Sequence, residues 1–284
     1  MSVVLITGCS TGIGLETALA FARRGDTVYA TMRNPAKATP LLERAAADGI
    51  TVEVLALDVT DDESVASGVR EIEARHGAID VLVNNAGIGS GGSVETIDMS
   101  RARDVMETNL WGAARTMRAV LPAMRAQRAG VIVNVTSVAG RVPGTSYEGW
   151  YAASKHGLNA LSEAMVMELE PFNVRIACIE PGFFRTQITA NADVEIDLND
   201  PYAADQLWVK EFFSKSVEAG GGEPEVVADA IVRCATDPTT PLHNLVGDDA
   251  VMFVDMVEEA GSLENWLPIG RSIIEGVAGP RPAY

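Results

Sequence analysis

The stretch "VVLITGCSTGIG", residues 3–14, decides the fold. VVLIT (3–7) is short, continuously apolar and β-branched, which marks a strand covered on both faces. It stops at Gly8, where a residue without a side chain lets the chain turn sharply. Gly12 lets backbone approach a pyrophosphate, and Gly14 lets the following helix pack close against the strand. The free N–H groups at that helix start would meet the phosphates, with Ser10, Thr11 and Ile13 lying against them between the glycines. No Gly-Lys-Ser/Thr follows, which disfavours a P-loop.

Outward from this crossover the same alternation continues. Strand-like TVYATM (27–32) precedes an Ala/Leu-rich helical stretch at 36–48. TVEVLALDV (51–59) precedes DDESVASGVREIEARHG (61–77), whose acids come first and bases last, the order a helix dipole favours. DVLVNNAG (80–87) leads to a long helix over about 100–127, GVIVNVTS (130–137) to a helix over 151–170 that ends at Pro171, and VRIACIEPG (174–182) is a further strand. A helix at about 223–237, a short strand near 245–254 and a terminal helical stretch complete the pattern. Continuous apolar strands each followed by a helix predict an α/β fold: one doubly wound parallel sheet, a Rossmann fold, with helices on both faces. No composition break appears before about residue 190, so residues 1–284 are expected to form one domain. Aromatic and acidic residues 183–222, ending in AGGGEP, read as an insertion or substrate lid.

Composition narrows the partners. With 22 Lys and Arg against 39 Asp and Glu, the formal net charge is −17, which opposes nucleic acid and anionic membrane surfaces. Cys9, Cys178 and Cys234 are widely spaced, form no C-x-x-C and have no metal-ligand spacing with the 3 histidines. They suit reduced, partly buried thiols, and no metal is expected. Neither a basic leader nor an apolar run of roughly 18 residues is present, so a cytoplasmic protein is expected.

Cofactor choice is written at the end of the second strand. An acid there would hydrogen-bond the ribose of NAD; ATMRNP instead places Arg33 where a 2′-phosphate would lie, with Ser10 as a second contact. NADP(H) is therefore favoured over NAD(H). Asp58 and Val59, at the third strand end, would flank the adenine, although Asp58 equally suits a cap of the next helix.

"WYAASKHG" (150–157) places Tyr151 and Lys155 four apart on one helix face, roughly 6 Å along the axis. A phenol titrates near 10, and an adjacent ammonium together with a positively charged nicotinamide would favour its phenolate. With this pair the chain resembles the short-chain dehydrogenases/reductases over roughly residues 1–190. The motifs run in order: T-G-x-x-x-G-I-G at Thr7–Gly14, N-N-A-G at Asn84–Gly87, a helical Asn at Asn109, Ser137 at a strand end, Y-x-x-S-K at Tyr151–Lys155, and P-G-x-x-x-T at Pro181–Thr186. The resemblance implies that Tyr151 exchanges a proton with the substrate oxygen, that Ser137 hydrogen-bonds the same oxygen, that Lys155 meets the nicotinamide ribose and that Asn109 serves a water-bearing proton relay. It also implies that Asn85, Ala86 and Gly87 border the cofactor, in part as strand support, that Pro181 and Gly182 contact it, and that Thr186 and the backbone near Phe184 face its carboxamide. The spacing from Ser137 to Tyr151 is 14 positions, one more than the commonest family spacing, so PGTSYEGW (143–150) is expected to bulge. Tyr147 has no Lys four residues later and is a decoy.

LITGCSTGIG and VYATMRNP resemble the branch of this family that acts on steroids, retinoids and related apolar alcohols and ketones. Trp150, Phe183, Phe184, Trp208, Phe212 and Phe213 suit an apolar mouth, and equally suit helix packing or a subunit interface. The expected activity is NADP(H)-dependent interconversion of an apolar ketone or aldehyde and an alcohol. The alternatives are a cofactor-binding regulatory module without turnover and a sugar-nucleotide epimerase or dehydratase, whose glycine spacing and longer C-terminal domain this chain does not show. The resemblance implies a homodimer or homotetramer built on the helices at 100–127 and 151–170.

Overall fold

In the computed structural model, which describes residues 1–144, 146–188 and 196–283, the opening apolar run is β1 (Val3–Thr7) and the glycine turn delivers the chain into α1 (Gly12–Arg23). β2 (Thr27–Met32), α2 (Thr39–Ala47), β3 (Glu53–Ala56), α3 (Asp62–His76) and β4 (Val81–Asn84) follow. α4 (Met99–Met106) runs through a π-helical turn, Glu107–Trp111, into α5 (Gly112–Gln127). Next come β5 (Gly130–Val135), α6 (Gly149–Leu169), β6 (Val174–Pro181), α7 (Ala203–Gly220), α8 (Pro224–Thr236), β7 (His243–Val246), α9 (Asp248–Ala260) and α10 (Leu263–Ala278).

The strands form one parallel sheet in the order β3-β2-β1-β4-β5-β6-β7, confirming the doubly wound α/β fold. Strand order reverses between β1 and β4, and there the loops part to leave a crevice at the carboxyl ends of the strands. Alternate residues of each strand supply the two cores. Val4 and Ile6 of β1 pack with Leu15, Leu19 and Phe21 of α1 and Val227 and Ile231 of α8. Leu5, between them, joins Leu82, Ile132, Met117, Val120 and Leu158 on the opposite face, under α5 and α6. Each such fully buried aliphatic side chain contributes roughly 1.5–3 kcal/mol.

Local signals end the helices where the sequence suggests. Asp61 caps α3 by accepting the Ser64 N–H at 2.7 Å, which relieves Asp58 of that expected alternative role. Arg75 and His76 occupy the last turn, and Gly77 leaves the helix at φ 87°. Two expectations are corrected. The strand placed near 245–254 is shorter and earlier: β7 ends at Val246, Gly247 turns at φ 101°, and VMFVDMV is helical in α9 because Asp248 and Asp249 favour its N-terminus. The helix at 100–127 is interrupted by the π turn.

Cys9, Cys178 and Cys234 are free thiols and fully buried. No helix among the described residues is long and apolar enough to cross a membrane.

Candidate active site

The carboxyl ends of the strands, together with α7 and α10, enclose a cleft of about 940 Å³. Its first wall is the glycine turn. Gly8 and Gly12 adopt φ +75° and +59°, left-handed conformations that favour glycine. Thr11, the N-cap of α1, makes no side-chain cap hydrogen bond, and the first turn of the helix carries no acid. Its leading N–H groups are thus left for an external acceptor, as an anion cradle requires. Ser10, Thr11, Gly12 and Ile13 line the cleft. Gly14 does not; a Cβ there would collide with the Gly8 carbonyl and the Asn85 amide, so this glycine serves helix–strand packing.

Arg33, at the end of β2, lines the cleft beside Met32 and makes no ion pair among the described residues. Asp58 and Val59 line the cleft too, and the Asp58 carboxylate accepts the Thr60 N–H at 2.9 Å. On the β4 loop the Asn85 side chain donates to Thr7 O at 2.9 Å and Gly8 O at 3.0 Å, tying this loop to the glycine turn, while Ala86 and Gly87 face the cleft.

Ser137, Tyr151 and Lys155 meet on the cleft floor. The Ser137 side chain hydrogen-bonds Tyr151, so the additional residue in the intervening loop has not separated them. That loop absorbs it at Gly144 and Tyr147, both left-handed at φ 73° and 60°. Lys155 is 3% exposed; its Nζ donates to Val135 O at 2.9 Å and lies 5.6 Å from the Tyr151 ring centroid. Burial pushes the phenol up to about 12, with the Ser137 hydrogen bond opposing and the neighbouring Glu148 charge adding. Burial also pushes the Lys155 ammonium down to about 8. Depression of the phenol by the ammonium, expected from the sequence, is thus not what the protein alone achieves: desolvation wins.

Asn109 sits in the π turn behind this floor. Its Oδ1 accepts the Ile88 N–H at 2.8 Å, and its Nδ2 donates to Ile88 O at 2.9 Å and Ser154 Oγ at 3.0 Å. A Cβ on Gly87 would lie 3.4 Å from Asn109 Oδ1 and 3.7 Å from Lys155 Nζ, so the missing side chain keeps the space between them open.

After β6, Pro181, Gly182, Phe184 and Thr186 all border the cleft. Gly182 N–H donates to Val246 O at 3.0 Å and Phe183 N–H to Asp249 Oδ2 at 2.6 Å, while the Phe184 ring is buried. Beneath this loop the fully buried Glu180 carboxylate receives His243 Nδ1 at 2.8 Å, Asn159 Nδ2 at 3.0 Å and an Arg141 guanidinium N–H at 3.2 Å. The network ties the segment after Ser137 to the end of β6.

Phe183 packs edge-on against Phe212, Phe213 and Phe253 at 5.8, 5.9 and 6.0 Å between centroids. Trp208 lines the cleft and donates its indole N–H to Gly279 O at 2.8 Å, drawing the end of α10 against α7. Trp150, expected at the mouth, does not line the cleft. The decoy Tyr147 donates to the Asp205 carboxylate at 3.0 Å, which also pairs with Arg281. Part of the expected 183–222 lid, residues 189–195, lies outside the described residues. Two features escape the sequence reading. Trp266, Leu267, Ile273 and Ile274 of α10 supply one side of the cleft, signalled only by an apolar face on a helix far along the chain. Glu148, three residues before Tyr151, also lines the cleft.

A glycine turn at the switch point, opening onto a Ser–Tyr–Lys floor, fits the class of nucleotide-dependent oxidoreductases. The model of the short chain dehydrogenase family matches residues 2–196, and the chain belongs to that family. It is 34% identical over 247 residues to a 3-ketodihydrosphingosine reductase of Bacteroides thetaiotaomicron, covering 86% of this chain and 87% of the relative. It is 37% identical over 274 residues to human retinol dehydrogenase 8, covering 92% and 86%. The structure of a metagenomic short-chain oxidoreductase in complex with NADP superposes with a TM-score of 0.68 at 29% identity, covering 86% of this chain and 96% of the other. The protein is an NAD(P)-dependent oxidoreductase of this family.

Proposed function

We propose that the protein is an NADP(H)-dependent reductase/dehydrogenase that interconverts an apolar ketone or aldehyde and its alcohol. The observation that carries this reading is the juxtaposition of Ser137, Tyr151 and Lys155 at the floor of a cleft with an aromatic and aliphatic outer half. A bound nicotinamide supplies or accepts the hydride. Tyr151 gives its proton to the carbonyl oxygen in reduction and accepts one in oxidation. A phenol kept protonated by burial is the form that reduction requires. Ser137 hydrogen-bonds the same oxygen, where negative charge develops. Lys155 spends one N–H on Val135 O and keeps two for the nicotinamide ribose. The α1 N-terminus receives the pyrophosphate, Arg33 and Ser10 receive the 2′-phosphate, and Asn109 orders a proton relay towards Lys155.

The apolar character of the substrate is supported by Phe183, Phe212, Trp208 and Trp266 in the lining, and by relatives named for a sphingoid ketone and for retinol. We read residues 1–284 as one domain with 183–222 as part of the lid, to which α10 contributes. A panel of ketones and alcohols tested with both nicotinamides, followed by cofactor absorbance, should give turnover with NADP(H) in preference to NAD(H). Tyr151→Phe should lower kcat by about 10²–10⁴-fold while NADPH still binds. Unchanged turnover in that variant would reject Tyr151 as the acid; binding without turnover in the parent would favour a regulatory module.

A further inference from the structure

Gly182 lines the cleft at the turn that follows β6, yet its backbone gives no reason for a glycine, since its φ lies outside the left-handed region. The reason lies behind the loop. A Cβ on Gly182 would run into the side chain of Asp249, which supplies all three of its nearest atoms. A Cβ on Gly247 would meet the same carboxylate. Asp249 thus occupies a slot that two missing side chains leave open, in the first turn of α9 and outside the lining of the cleft.

In that slot the carboxylate holds one backbone amide. The N–H groups of Gly182, Arg185 and Thr186 donate to the carbonyls of Val246, Gly222 and Phe184, whereas that of Phe183 donates to Asp249 Oδ2 at 2.6 Å. Asp249 makes no ion pair among the described residues, so no cation draws it elsewhere. Its exposed neighbour Asp248 already supplies an acid that suits the helix start. A charge-assisted bond of this kind is stronger than a neutral one, and it fixes the plane of the peptide that joins Gly182 to Phe183. One turn further along α9, the Phe253 ring packs edge-on against the Phe183 ring at 6.0 Å between centroids. The same helix therefore grips Phe183 by its backbone and by its side chain.

We propose, on the reductase reading given above, that Asp249 is a positioning residue for the nicotinamide half of the cofactor. By anchoring the Phe183 amide it holds Pro181–Thr186 in the shape that meets the carboxamide, and it acts only through that segment because it does not line the cleft itself. The adenosine half, received by the glycine turn, Arg33 and Asp58, should not sense the residue.

Two ligands separate the halves of the cleft in calorimetry: NADPH, and 2′-phospho-ADP-ribose, which lacks the nicotinamide. Asp249→Ala should raise the Kd for NADPH by roughly 10-fold and leave that for 2′-phospho-ADP-ribose within about 2-fold of the parent. Asp249→Asn keeps an acceptor of the same shape and should restore most of the NADPH affinity. Gly182→Ala drives a methyl group into the carboxylate and should weaken NADPH with the same selectivity. Adding Asp249→Ala removes the obstruction, so the double variant should bind NADPH as well as Asp249→Ala alone, without the sum of the two losses. Equal weakening of both ligands in either single variant, unchanged NADPH binding in Asp249→Ala, or additive losses in the double variant overturns the positioning role and leaves the reductase reading standing. A parent protein that fails to bind NADPH overturns both.

Discussion

Tyr151 and Lys155 stand four residues apart on one turn of α6, yet burial drives them in opposite directions, the phenol up to about 12 and the ammonium down to about 8. The lysine has a measurable signature. Its folded pKa lies below the 10.5 of an exposed lysine, so the unfolded chain binds the proton more tightly. The cost of burying the charge is fully present below about pH 8 and is relieved as pH rises towards 10.5, on the order of 3 kcal/mol in all. Lys155→Met, compared with the parent by urea unfolding in the absence of cofactor between pH 7 and about 10.5, should lack that relief. Arg33 offers a cleaner binding prediction. Arg33→Ala should raise the Kd for NADPH by about 10–100-fold, the value of a charged hydrogen bond, and leave NADH nearly unaffected. Equal losses for both cofactors would place Arg33 away from the 2′-phosphate. These residues were legible because their chemistry depends on local spacing or on a strand end. Glu148 was not, since nothing in SYEGWY reveals that this residue lines the cleft.

At the scale of elements, alternation of apolar runs and helices was enough to read β1 to β6, because a strand buried on both faces has few other sequence solutions. The same criterion misplaced β7, where VMFVDMV is as apolar as a strand and only Gly247 and the two following acids mark a helix start. Periodicity equally hid the π turn around Asn109, whose inserted residue shifts the helix face without changing composition. Between elements, the Glu180 network joins β6, β7, α6 and the segment after Ser137. Glu180→Ala would take a shared acceptor from His243, Asn159 and Arg141, while Arg141 keeps Glu258 at 3.8 Å and Asn159 keeps Gly140 O at 3.2 Å. Loss of such a charged hydrogen-bond acceptor costs about 1.5–3 kcal/mol. Urea unfolding should report a loss in that range; a loss below about 1 kcal/mol would mean that water replaces the carboxylate.

Across the whole molecule, the exposed apolar residues Trp111 (57%) and Met167 (80%), in the π turn before α5 and on α6, suit association of copies through these long helices. We expect a homodimer or homotetramer, and Met167→Glu should shift the mass seen by light scattering towards the monomer while the circular dichroism spectrum is retained. The closure of α7 over α10 could not be read from sequence, because Trp208 and Gly279 are brought together only by the folded chain. The placement of the thiols has a practical consequence. All three are sealed inside, Cys178 and Cys234 in the sheet and helix layers, but Cys9 directly within the glycine turn. A maleimide dye therefore becomes a clock for breathing motions: Cys9 should tag at the rate at which the dinucleotide cradle opens, the other two only when the sheet comes apart. A saturating dinucleotide would slow the first reaction while leaving the order of the remaining two untouched.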